Sequence, residues 1–138
     1  MTGEQASALN DYLQAQREKS FSLGVHDCFT FTNGAWAAMY GKPYAPELLG
    51  VHHTLGPRAL ADALKKSYGR LDFLACLDAK MRRVDGIPPR GSLVVVRSDR
   101  YFLSHAFGIA SGVTAAFVGE TGLVYKSIKE IDGAWIDG

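Results

Sequence analysis

Cys28 sits in "GVHDCFTFTNGAWAAMYG", directly behind His26 and Asp27 and at the start of a helix-like pattern. A thiol on the first turn of a helix meets partial positive charge, which favours the thiolate. Backbone N–H groups at such a terminus can also hold an oxyanion. Asp27 acts in the opposite sense, because a neighbouring carboxylate raises a thiol pKa. A plentiful thiolate therefore needs a positive partner. Two histidines are candidates: His26, two positions away, and His105, at the start of the strand-like "HAFGIA". A helix-borne cysteine with a strand-borne histidine is a nucleophile–base arrangement. The plain alternative is that Cys28 is a small buried hydrophobe, as most free cysteines are. His52 and His53 follow "ELLG" in a connection and read as solvated; Cys76, Trp36 and Trp135 read as core.

The elements that must position these groups can be read from periodicity. Residues 5 to 18 carry Leu9, Tyr12 and Leu13 as a helical stripe. Asp27 is a good N-cap for a helix over about 28–40, in which Cys28, Phe31, Ala35 and Met39 share a face and Gly41 follows as a C′ glycine. A third helix is expected from Pro57 to before Gly69, and a short one within 70–83. After the break "DGIPPRGS" the texture changes to short apolar runs: "SLVVVR", "HAFGIA", "TAAFVG", "GLVYKSI" and "AWI". The expectation is one α+β domain over 1–138, with a helical part over about 1–85 and an antiparallel sheet over about 90–138.

Composition narrows the function. The chain has 138 residues, 47% apolar and 21% charged, with a formal net charge of +1. No Lys/Arg stripe suggests nucleic acid. No run approaches the roughly 20 apolar residues of a membrane span, so no membrane insertion is expected. The start "MTGEQASALNDYLQ" has neither a basic run nor an apolar core, so the expectation is synthesis in a cytoplasm, without export by the general secretory route on a signal of its own. Two cysteines and four histidines show no tight Cys/His spacing, so neither a metal nor an organic cofactor is expected.

Three segments in order carry a resemblance. "FSLGVHDCFTF" resembles the nucleophile motif of NlpC/P60 cysteine peptidases, "PPRGSLVVV" their strand entry with Ser92 in place of Asp, and "SHAFGIASG" the strand that bears their histidine. The ending "GETGLVYKSIKEIDGAWI" is similar to that of small NlpC/P60-like proteins encoded among phage tail genes. The resemblance implies a papain-like fold, N-terminal helices on a C-terminal sheet. It implies Cys28 as nucleophile and His105 as base; Asp27 and His26, beside the thiol, are expected to support the oxyanion or activation. The family's third polar residue falls at Gly119 or Glu120, of which only Glu120 can orient a histidine; its oxyanion tyrosine aligns with Phe21. The implied substrate is a peptidoglycan stem peptide, the implied place the virion tail, and the implied partners tail-tip or baseplate proteins. Three readings follow: a peptidase, a structural tail-tip component on the same fold, and an unrelated thiol acyltransferase.

Overall fold

The computed structural model describes residues 1–22, 26–46, 49, 65–66, 73–97 and 105–138, with Phe73 and His105 described at backbone level. The helix expected from Pro57, His52 and His53 lie outside the described residues, apart from a helical pair at 65–66. Three helices and six strands are described: α1 (Gly3–Gln16), α2 (Cys28–Tyr40), α3 (Phe73–Lys80), β1 (Arg82–Arg83), β2 (Leu93–Arg97), β3 (His105–Ala110), β4 (Thr114–Val118), β5 (Leu123–Ser127) and β6 (Gly133–Ile136). The fold is α+β.

α1 begins two residues before the periodicity suggests. Thr2 and Gln5 form a capping box, the Thr2 hydroxyl accepting from Gln5 N at 3.1 Å and Gln5 Oε1 from Thr2 N at 2.8 Å. That reciprocal pair satisfies two otherwise open donors, so the helix starts at the cap and not at its first apolar residue. α2 has the expected bounds. Gly41 ends it with φ of 82°, a left-handed conformation that glycine adopts without a Cβ penalty.

The strands form one antiparallel sheet in the order β1-β6-β2-β3-β4-β5. Consecutive strands β2 to β5 form a meander, and β6 returns to lie between β1 and β2, pairing Trp135 with both Leu93 and Arg83. The helical layer covers the face carrying Leu93, Val95, Phe107, Ile109, Ala116, Val118 and Trp135; together with Leu9, Leu13, Phe31, Ala35 and Trp36 these form the main core. Each fully buried Phe, Ile or Leu there contributes about 2 kcal/mol by removal from water. On the other face Val94, Val96, Ala115 and Phe117 pack with Ile128 and Ile131 in a smaller cluster. Gly108 of β3 makes this second face possible: a Cβ there would lie 2.7 Å from the Phe117 ring.

α3 is locked to the sheet by Trp135. Its ring is fully buried, its Nε1 donates to Asp78 Oδ1 at 2.8 Å, and the Arg83 guanidinium lies 4.9 Å over the ring while pairing with Asp78 at 3.3 Å. An indole buries well only when its N–H finds an acceptor. No helix among the described residues is long and apolar enough to cross a membrane.

Candidate active site

The chain enters α2 through a tight reversal. Ser22 and His26 exchange two backbone hydrogen bonds, Ser22 N to His26 O at 2.9 Å and His26 N to Ser22 O at 2.7 Å. Just before it, Phe21 N donates to Gly119 O at 3.2 Å, tying the entry to the β4–β5 turn. The reversal delivers Asp27 in extended conformation as the N-cap. Asp27 Oδ1 accepts from Phe29 N at 3.0 Å, Thr30 N at 2.9 Å and Thr30 Oγ1 at 3.2 Å, and Thr30 Oγ1 in turn accepts from Asp27 N at 2.7 Å. A buried carboxylate is tolerable here because donors surround it. The sequence reading of Asp27 as a cap is the one the structure bears out.

Behind this turn lies a buried polar brace that the sequence reading did not single out. Thr32 Oγ1 donates to Cys28 O at 2.6 Å and contacts the Tyr44 hydroxyl at 2.9 Å. Asn33 donates to Phe29 O at 2.9 Å and accepts from Ala45 N at 2.8 Å. Both side chains are fully or nearly fully buried. The signal was present: a Thr-Asn pair inside an otherwise apolar helix requires partners if its face is buried. The pair fixes the first turn of α2, and with it the backbone of Cys28, against the 44–45 segment.

Cys28 occupies the first turn and is 6% exposed. Burial pushes its thiol up to about 12, and the Asp27 carboxylate pushes the same way. The backbone N–H groups of Phe107, Cys28 and Phe29 pull downward, by a smaller amount. The helix terminus therefore acts in the sense expected from sequence, but desolvation outweighs it. The thiol is neutral at ordinary pH in this conformation. Backbone N–H groups converging on one sulfur are also the donors that a developing oxyanion on an attacked carbonyl would use.

The Phe107 contact brings β3 to the nucleophile. The Phe29 and Phe107 rings pack at 5.6 Å between centroids, so the amino end of α2 rests on the start of β3. His105 opens that strand. Position 105 stands two residues before Phe107, which with Ile109 lies in the core shared with α2. The His105 side chain lies outside the described residues. Glu120 is exposed in the four-residue turn between Val118 and Leu123, which Gly119 N closes on Gly122 O at 2.9 Å. The β3–β4 register pairs Gly108 with Phe117 and Ile109 with Ala116.

His26 does not supply the positive charge that activation would need. It is buried, and burial, followed by the Lys19 ammonium, lowers its pKa, with Asp27 opposing. A lowered value leaves the ring neutral near pH 7. The ring meets Phe31 edge-on at 6.1 Å, and Nε2 has no hydrogen-bond partner among the described residues. Ser92 is buried, its hydroxyl donating to Pro89 O at 2.6 Å, and Phe21 is 40% exposed. Among the described residues, no three His, Cys, Asp or Glu side chains gather as a metal-binding set.

A family model described as a domain of unknown function, DUF6950, matches residues 4–136. The chain belongs to that family. No curated protein matches it.

Proposed function

We propose that this member of the DUF6950 family is a cysteine peptidase of the NlpC/P60 type, with a papain-like arrangement of helices on a sheet and a peptidoglycan stem peptide as substrate. The observation that carries the reading is the seating of the Cys28 helix start on β3 through Phe107, two residues along that strand from position 105. In this mechanism Cys28 Sγ attacks the peptide carbonyl carbon while His105 takes the thiol proton. The carbonyl oxygen becomes an oxyanion held by backbone N–H groups at the start of α2. The C–N bond then breaks, the leaving amine takes the proton from His105, and water hydrolyses the thioester. Because the resting thiol is neutral, proton removal accompanies C–S bond formation, and no standing thiolate–imidazolium pair is required. Glu120, which the resemblance makes the third polar residue, orients the imidazole. Asp27 fixes the helix start.

The three ordered sequence segments support placement in a phage tail, where tail-tip or baseplate proteins would bring so small an enzyme to the wall. One observation favours a second reading: a thiol 6% exposed and pushed up to about 12 suits a retired site in a tail-tip component that only binds its neighbours. The deciding experiment incubates purified muropeptides with wild type, Cys28→Ala and His105→Ala. New amine termini released by wild type alone, with losses on the order of 10³-fold or more in either variant, support the peptidase. A folded wild type that releases none selects the structural reading.

A further inference from the structure

A second concave site lies away from Cys28. One wall is α1, whose Asn10, Gln14 and Arg17 are spaced four and three apart and so share a face, over a floor that includes buried Leu13. The opposite wall comes from three other segments. Arg90 enters from the turn before β2, Ser111 and Thr114 from the β3–β4 turn, and Tyr125 from β5. The cleft holds about 480 Å³, within the usual range for small-ligand sites. Ser111 and Thr114 lie at the opposite end of β3 from His105, and a six-residue strand is about 20 Å long.

Among the described residues the lining has one sign of charge: Arg17 and Arg90 line it, and none of the described lining residues is acidic. Arg90 is held by the Asn10 side-chain oxygen, so its fork is oriented by a neutral partner. Arg17 contacts Glu18 at 4.0 Å, both on exposed side chains, a loose pair that leaves the guanidinium able to take a better one. Guanidinium forks match carboxylate geometry, and a concave wall concentrates their field. Tyr125, 47% exposed, offers a ring face beside amides and hydroxyls. No helix N-terminus opens into the cleft, and the end of α1 near Arg17 is its carboxyl end, where the helix dipole disfavours added negative charge. A monoanion suits this balance better than a dianion.

We propose that this cleft, whose lining does not include Cys28, binds a carboxylate-bearing ligand of about disaccharide or dipeptide size, held between Arg17 and Arg90. The site does not depend on thiol chemistry, so it is tested by binding, in a Cys28→Ala background that leaves the peptidase question aside. Two probe pairs differ by one carboxylate each: N-acetylmuramic acid against N-acetylglucosamine, and N-acetylglutamate α-amide against N-acetylglutamine α-amide. Inorganic phosphate is the third arm. The readout is the arginine Nε–Hε and Tyr125 resonances during titration to ~10 mM, weak enough to detect millimolar affinity.

The expected result is that at least one acid shifts both arginine signals while its neutral partner binds about tenfold more weakly or less. Arg17→Gln and Arg90→Gln should each weaken that acid about tenfold at unchanged Tm, and Arg90→Lys should restore part of the loss. A preference for the sugar acid or for the acidic amide assigns the source of the carboxylate. Neutral partners binding as well as the acids, phosphate binding as tightly as either acid, no shift with any probe, or arginine variants without effect would each overturn the proposal.

Discussion

Raising the pH above about 8.5 should destabilise this protein through Cys28, and the size of the effect follows from the burial of one sulfur. The thiol is pushed up to about 12 in the fold, first by burial and then by Asp27. In the unfolded chain it titrates near 8.5. Below that value both states hold the proton, and Cys28 adds no pH dependence. Above it the unfolded chain loses a proton that the native state keeps. Stability then falls by about 1.4 kcal/mol per pH unit until the native thiol itself ionises. The stabilisation is thus fully present below the unfolded pKa and is lost as the pH climbs towards the folded one. The difference in unfolding free energy between wild type and Cys28→Ala isolates this contribution, since other titrating groups are shared. It should narrow by about 2 to 3 kcal/mol between pH 8.5 and 10.5, measured by urea denaturation. Alkylation gives an independent reading. At pH 8 a thiol with pKa about 12 is ionised to on the order of one part in 10⁴, so iodoacetamide should label native Cys28 on the order of a thousandfold more slowly than a small thiol. Peptide mapping separates it from Cys76. A constant stability difference across this range, together with rapid native labelling that titrates near or below pH 8, would refute the argument that desolvation governs the site.

Two further substitutions probe its frame. Asp27→Asn keeps a capping acceptor but removes the charge, so the Cys28 thiol should titrate lower than in wild type while stability changes little; Asp27→Ala, which loses the cap as well, should cost about 1–2 kcal/mol in urea unfolding. Gly34→Ala should destabilise by about 1–3 kcal/mol and lower Tm, because its new methyl would meet the Tyr12 hydroxyl and lie 2.8 Å from the ring carbon Cζ, and Tyr12 is held at Phe31 O by a 2.8 Å hydrogen bond; an unchanged Tm would show that Tyr12 gives way freely.

Local signals made much of this architecture legible. Asp27 and Gly41 mark both ends of α2, because capping chemistry is written in single residues. The apolar runs after residue 91 correspond to β2 through β6. β1 was not legible, since Arg82 and Arg83 carry no apolar pattern and become a strand only by pairing with Ile136 and Trp135. The insertion of β6 between β1 and β2 is likewise a non-local choice. At the site, the position of Cys28 on a first turn could be read, and burial was one of two readings open for it, which its 6% exposure decides. The desolvation that sets the thiol's state comes from packing against β3, far away in sequence. His26 could be read as a candidate positive partner for the thiol; its burial and lowered pKa appear only once its surroundings are assembled.

The late return of β6 also sets a schedule for folding on the ribosome. β2 exposes one hydrogen-bonding edge, and β1 has no sheet partner, until Gly133–Ile136 has been synthesised. At about 5–20 residues per second the gap between β2 and β6 lasts on the order of seconds. Through that interval a run of three buried valines, Val94, Val95 and Val96, presents an unpaired edge of the kind that templates aggregation. The nascent chain should therefore be most dependent on chaperones just before its sixth strand emerges.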